Sequence, residues 1–314
     1  MPTPNAPRVL VVILNWNAPA DTLACLQSLR ASDYRNQHIL VIDNGSTDDS
    51  LAVLSREEGI DLLANPENLG FTGGCNLGLQ AAARYEADYV WLLNNDTQVA
   101  SDCLSELVRA AQADHRIGLL SPVLYHRGSD SIQHGGSRYH LDPPTIEETA
   151  DLSTARRWQN ETPEQLVLWG TALLIPRATL ERVGLLDARL FAYSEDTDYS
   201  IRCGLAGLRK CMVDRARVWH SWNNGVRKPY YYYYTTRNDL LMWRRHVSLA
   251  TYLRVAFWNY RRTVRVLARL QDQPEHRQAC MLGFWDGLAQ RTGIYTPGRR
   301  APRALQAMFR NAAR

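Results

Sequence analysis

The chain has 314 residues, 45% of them hydrophobic and 22% charged, with a formal net charge of +4. That length can bury a full core, as one large α/β domain or a domain with a substantial appendage, and the composition is that of an ordinary globular protein. No apolar run reaches the ~20 residues of a membrane span, and the opening MPTPNAPR lacks the apolar stretch of a secretory signal.

Arg8 to Leu14 is a β-branched run that reads as a strand buried on both faces and stopped by Asn15-Trp-Asn17. Leu23, Leu26 and Leu29 then recur at three-residue spacing behind Pro19 and Asp21, which predicts a helix. A second strand, 39–42, runs into Asp43-Asn-Gly-Ser and another helical pattern with Leu51 and Leu54. A short strand at 60–64 precedes the loop 65–70, a helix is predicted over 76–85, and the apolar run 89–93 is a fourth strand. Strands alternating with helices predict a parallel sheet, whose ligands lie outside the carboxyl ends of the strands. Three of the four strands end in polar clusters, Asn15/Asn17, Asp43/Asn44 and Asn94/Asn95/Asp96, which points to one site.

Residues 121–165 read as a long irregular insertion on the substrate side. Order is expected again from 166, with a strand over 166–175 and a helix over 177–183. A second helix is expected after Ser194-Glu-Asp-Thr-Asp198, and a strand from 213 to His220. From Tyr230 the chain reads as helical to about residue 271, and its last 25 residues as basic and loosely ordered. The expected organisation is a catalytic domain over 1–240, in two halves (1–120 and 121–240). A basic helical region then spans 241–314. From residue 240 onward 14 arginines face three acids, a balance of +11, which leaves the rest of the chain at −7. A basic tail on a mildly acidic body predicts a polyanionic partner. Its helix with Tyr252, Trp258, Arg261, Arg262, Arg265 and Arg269 is either a surface helix packed on the body or an interfacial helix on anionic lipid. The six cysteines form no C-x-x-C pair, so reduced, mostly buried thiols in a cytoplasmic chain are expected.

The polar strand ends carry the candidate chemistry. Asp43 either belongs to a turn and helix cap or accepts the imide N–H of a pyrimidine. The glycine-rich run Asn68 to Gly78 matches neither the dinucleotide nor the P-loop spacing and predicts close backbone approach to a ligand or a neighbouring strand. Asp96 supplies one carboxylate at a strand end, which suits Mg2+ or Mn2+ completed by water and substrate phosphates. Of the acids at 195–198, Asp198 is expected to pair with Arg202 on the helix surface. That leaves Glu195 and Asp196 either to cap the helix or to supply a general base. His220 is either structural or a metal ligand.

Taken in order, Val-Val-Ile-Leu-Asn-Trp-Asn17, Val-Ile-Asp-Asn-Gly-Ser-Thr-Asp48, Asn68 to Asn76, Leu-Leu-Asn-Asn-Asp96, Trp-Gly-Thr-Ala-Leu-Leu-Ile175, Glu195-Asp-Thr-Asp198 and Trp-His220 resemble the inverting nucleotide-sugar transferases of glycosyltransferase family two, rhamnosyltransferase-like branch. The resemblance implies the GT-A fold and a dTDP- or UDP-sugar donor. It implies a saccharide or lipid-linked saccharide acceptor, a nucleotide-sugar half over 1–120 and an acceptor half over 121–240, and cell-surface polysaccharide synthesis, which the basic C-terminal helix would place at the inner face of the membrane. It implies that Leu14, Asn15, Trp16, Asp43, Gly73, Asn76, Asn94 and Asn95 bind the nucleotide sugar, and that Asp96 and His220 hold the metal. Asp196 is then the base, and Glu195, Trp169 and Gly170 contact the acceptor. Asn94 stands where the family's D-x-D motif has Asp, which removes one charge from the metal site. The competing readings are a nucleotidyltransferase acting on sugar phosphates and a non-catalytic carbohydrate- or polyanion-binding protein; nucleic acid is not an expected partner.

Overall fold

The computed structural model describes residues 6–221 and 227–312; Arg314 of the basic tail lies outside them. β1 (Val9–Asn15), α1 (Pro19–Arg30), β2 (Gln37–Asn44), α2 (Ser50–Leu54), β3 (Asp61–Asn65), α3 (Gly70–Ala81) and β4 (Tyr89–Asn94) alternate along the chain. β3, β2, β1 and β4 are parallel neighbours in that order. Side chains alternate between the faces of a strand. On β1, Val9, Val11 and Ile13 join a core with Leu26 and Leu29 of α1, while Leu10 and Val12 join another with Cys75 and Leu79 of α3. Helices on both faces therefore require a strand that is apolar throughout.

α3 begins six residues ahead of the predicted start at 76, so the glycine run lies inside the helix. A Cβ on Gly74 would sit 2.3 Å from Leu14 Cδ1, and one on Gly78 2.3 Å from Val12 Cγ1. The glycines let the helix backbone lie directly on β1. The close approach is to a neighbouring strand.

The chain continues through β5 (Thr97–Val99), α4 (Cys103–Ala113), β6 (Ile117–His126), β7 (Ile132–His134), β8 (Gly136–Leu141), β9 (Pro144–Thr149) and α5 (Leu152–Glu161). β10 (Leu166–Val167), β11 (Ala172–Pro176), α6 (Arg177–Val183), α7 (Glu195–Leu205) and β12 (Arg209–His220) follow. The main sheet has the order β3-β2-β1-β4-β11-β6-β12-β5, with β7 paired to β6. Only β11, β5 and β7 oppose the common strand direction, so the sheet is mostly parallel. The stretch 121–165 is thus not irregular. β6 lies inside the sheet between β11 and β12, and β10, β8 and β9 form a second sheet of three strands. The pattern is hard to read there because β7 and β9 are short and largely polar. The strand expected over 166–175 is two strands, since β10 pairs with β8 of the small sheet and β11 with β4 of the large one.

The described chain forms two compact units. One holds the residues up to Tyr139, Ile146–Leu186 and those from Asp196 through β12; the other holds His140–Thr145, Asp187–Glu195 and the C-terminal helices. Those helices are α8 (Pro229–His246), α9 (Leu249–Arg269), α10 (Pro274–Leu288) and α11 (Arg303–Ala312). The helix expected to run unbroken to 271 is interrupted at Val247-Ser248, where the Ser248 hydroxyl accepts the Thr251 N–H at 3.2 Å and starts α9. Nor are the described residues near the C-terminus loose. Arg299 donates to both oxygens of the fully buried Asp286 at 2.6 Å, and Phe309 of α11 is fully buried against Tyr260 and Phe284. Of the five consecutive tyrosines, Tyr233 and Tyr234 are buried and the other three half-buried.

Within the same unit, α8 holds an arch of unusual backbone. Phe191, Tyr193 and Ser194 have φ of 64°, 71° and 69°, a region that costs non-glycine residues of order 1–3 kcal/mol each. The Asn238 amide donates to the carbonyls of Leu190, Ala192 and Tyr193 at 2.8 Å, and the Arg237 guanidinium donates to Leu190 O at 2.9 Å. Glu195 follows this arch directly.

Candidate active site

The ends of β2, β1 and β4 lie side by side, with Asn15 in register with Asp43 and Leu14 with Asn94. Their polar side chains are wired together. Asn15, fully buried, donates to Asp43 Oδ2 at 2.8 Å and accepts from the Thr22 hydroxyl at 2.8 Å. Thr22 in turn accepts from the Asn95 amide at 3.0 Å. The other oxygen of Asp43 accepts the Ser46 N–H at 3.1 Å, the contact that the turn reading of Asp43 expects. Each carboxylate oxygen keeps acceptor capacity for a further donor. Trp16, at the tip of β1, is 48% exposed and free to stack.

Asp96 and His220 come together at the far side of β4. Their strands β5 and β12 pair with His220 opposite Thr97, and the Ser221 N–H reaches Asp96 O at 3.0 Å. His220 Nε2 stands 3.2 Å from Asp96 Oδ1, close to the roughly 3 Å that separates adjacent ligands of an octahedral ion bound at about 2.1 Å. Among the described residues Asp96 Oδ1 and the buried Asn94 Oδ1 accept no hydrogen bond, and no group of three or more His, Cys, Asp or Glu side chains gathers as a metal cage. A carboxylate and an imidazole with open coordination suit a cation that takes its other ligands from water and phosphate. The residues fit Mg2+ or Mn2+.

Asp196 opens α7 and faces Gly170 and Thr197. It accepts the Gly170 N–H at 2.9 Å and the Thr197 N–H at 2.6 Å. Gly170 and Thr171 end the four-residue gap between β10 and β11, and Thr171 O accepts the Asn94 N–H at 2.9 Å. The strand break therefore serves the site, since it ties Asp196 to the end of β4. Burial raises the Asp196 carboxyl above the ordinary carboxylate range, with the hydrogen bonds opposing the rise. Partial burial raises Glu148 of β9 as well, and the charge of Asp196 adds to that rise. Glu195 is buried at the first turn of α7. Asp198 does pair with Arg202, at 2.7 Å, but not on the surface: Asp198 is fully buried, and Arg202 also donates to the carbonyls of Val183 and Leu185.

One candidate residue, Asn76, is committed inward, whereas Gly73 is half-buried. Trp169 stacks on His134 at 3.9 Å, whose imidazole burial pushes down to about 3, so that pair is a neutral ring on an indole. Thr22, Ser46, Glu148 and Gln133 were not legible as site residues. Thr22, Glu148 and Gln133 meet their site neighbours from other elements, and Ser46, though in the Asp43 turn, reaches Asn15 and Asn17 only through the fold.

Comparisons with known proteins come down on one side. The family described as Glycosyl transferase family 2 matches residues 10–184. A dTDP-rhamnosyl transferase of Shigella flexneri is 20% identical over 299 residues, covering 91% of this chain and 97% of its own. A galactofuranosyltransferase of Mycobacterium tuberculosis is 25% identical over 214 residues, covering 64% of this chain and 66% of its own. Among solved structures, a mannosyltransferase of Pyrobaculum calidifontis in complex with GDP-Man and Mn2+ superposes with a TM-score of 0.60 at 15% identity, over 91% of this chain and 88% of that one. These likenesses identify the fold as GT-A, with helices following the sheet domain.

Proposed function

The chain belongs to glycosyl transferase family 2, and we propose from that premise that it is a metal-assisted, inverting transferase. It moves rhamnose or a related hexose from a dTDP- or UDP-sugar to a saccharide or lipid-linked saccharide in cell-surface polysaccharide synthesis. The glycosyltransferase class rests on the family and its rhamnosyl and galactofuranosyl relatives. The observation that supports the mechanism is Asp196, a half-buried residue whose carboxylate is held by Gly170 beside the residue that ties down Asn94.

In this reading residues 1–240 carry the transfer and 241–314 the helical appendage. Asp43 accepts the N3–H of the pyrimidine, Trp16 stacks on the base, and Leu14 lines its pocket through the backbone. Asn94 meets the ribose or diphosphate with its unpaired carbonyl, and Asn95 orients the turn. Trp169, Gly170 and Glu195 flank the acceptor. Asp196 takes the proton of the acceptor hydroxyl as that oxygen bonds to the anomeric carbon and the bond to the diphosphate oxygen breaks. One displacement from the face opposite the leaving group inverts the configuration. Negative charge on the departing diphosphate would be neutralised by Mg2+ or Mn2+ held by Asp96 and His220.

Asp196→Asn tests the mechanism. Transfer should fall by about 10²–10⁴, while calorimetry still detects dTDP or UDP with Mn2+; unimpaired transfer would overturn the assignment. A thermal-shift screen of UDP-, dTDP- and GDP-sugars with Mn2+ then identifies the donor.

We also propose that α9 rests on anionic lipid at the inner face of the cell membrane. Leu249, Leu253, Phe257 and Trp258 are exposed along it, between 41% and 61%, interleaved with Arg254, Arg261 and Arg265 and with no acidic residue in the helix. No helix of the described residues is long and apolar enough to cross a membrane. Phe257→Ser with Arg261→Ser should abolish co-sedimentation with phosphatidylglycerol vesicles; retained binding would refute the assignment.

A further inference from the structure

Gln133 sits where the β6–β7 pairing slips. Leu124 faces His134, but Tyr125 faces Ile132, so Gln133 is the extra residue of a bulge. A bulge re-aims the side chain it carries, and bulges collect beside active sites. Gln133 reaches His220 at the end of β12: its Oε1 lies 3.0 Å from His220 Nδ1. The opposite ring nitrogen, Nε2, is the atom 3.2 Å from Asp96 Oδ1.

The two ring nitrogens are linked through the tautomer. When the carbonyl of Gln133 accepts a proton from Nδ1, a neutral imidazole has none left on Nε2. The lone pairs of Nε2 and Asp96 Oδ1 then converge, an arrangement that a cation between them resolves. The His220 side chain is 12% exposed, so little water is available to replace the amide. Among the described residues the Gln133 amide nitrogen has no partner, so the contact to His220 is what holds that amide.

We propose that Gln133 is a positioning residue that fixes His220 with its proton on Nδ1 and so presents Nε2 to a divalent cation shared with Asp96. This rests on the metal-assisted reading above. Outer partners of metal-bound histidines act in this way by setting ring orientation and raising ligand basicity, and their loss typically weakens binding about 10–100-fold.

The full chain is titrated with Mn2+ by calorimetry, alone and with UDP, and the His220 tautomer is read from ring nitrogen shifts in the metal-free protein. Gln133→Leu keeps the volume and removes the acceptor. It should weaken Mn2+ binding about 10–100-fold and shift His220 toward the Nε2–H form. Gln133→Glu keeps an acceptor for Nδ1–H and should restore both readouts. Wild-type affinity in Gln133→Leu, or a wild-type His220 protonated on Nε2, would overturn the proposal, and the second measurement needs no variant to fold. Equal Mn2+ binding by wild type and His220→Ala would instead remove the metal role of His220, and the role of Gln133 with it.

Discussion

Thr22 gives the sharpest test of the strand-end wiring. It is fully buried, donates to Asn15 Oδ1 at 2.8 Å and accepts from Asn95 Nδ2 at 3.0 Å. Thr22→Val keeps the shape and removes both bonds. Asn15 has no exposed surface, so its carbonyl cannot recruit water; leaving such an acceptor unmade costs about 1–3 kcal/mol. Asn95 is half-buried and retains a longer contact to Ala18 O at 3.4 Å, so its loss adds about 0.5 kcal/mol. Burying a methyl group in place of the hydroxyl returns somewhat under about 1 kcal/mol. The net expectation is a loss of about 1–2.5 kcal/mol in urea denaturation. Weaker UDP binding should accompany it, because Asp43 and the Asn94-Asn-Asp96 turn lose their common brace. Thr22→Ser keeps the hydroxyl and should lose less. A stability change below about 0.5 kcal/mol in Thr22→Val would show that the contacts carry no weight.

Three further expectations follow from other parts of the molecule. Because burial raises Asp196, the acid limb of kcat/KM should lie above the ordinary aspartate value of about 3.9; a limb at or below that value refutes Asp196 as base. The same shift makes its contribution to stability present below the unfolded pKa and lost as pH rises through the folded one. Over that window wild type should lose stability relative to Asp196→Asn, read from melting temperatures at stepped pH. Helix propensity alone predicts that Gly78→Ala stabilises by about 1 kcal/mol, whereas the 2.3 Å clash with the stiff Val12 side chain should make it destabilising by a net 1–2 kcal/mol or so; a raised melting temperature would contradict the packing described. Asn238→Ala leaves the carbonyls of the 190–193 arch short of donors and should cost about 2–4 kcal/mol, with faster hydrogen exchange confined to that arch as the check.

The N-terminal half of the sheet was readable because each strand is covered on both faces. β1, β2 and β4 therefore appear as unbroken apolar runs, and their polar ends mark the site. Asp43, Asp96, Asp196 and His220 stand out as candidates for the same reason: each stands at an abrupt change from apolar to polar or at a helix start. What stayed hidden depends on contacts between distant segments. Nothing local distinguishes Gln133 from a surface glutamine until the pairing slip turns it toward His220. The 166–175 run reads as one strand until Gly170 is needed by Asp196. The glycines of α3 left ligand and neighbouring strand open as the close neighbour, because close approach leaves the same trace whether that neighbour is a phosphate or a valine side chain.

The wiring around Asn15 bears on how donor preference could be re-engineered. Asn15 and Asn76 carry the residue types expected of a binding site, yet both spend their amides on the protein itself, and Asn15 touches no solvent. Substituting either would be felt as a folding defect long before it altered which nucleotide is chosen. A library meant to exchange one donor for another is better spent at Trp16, whose ring is open, and at Asn94, whose carbonyl is unspoken for among the described residues. The interior asparagines are best left as foundation, fixed in every variant.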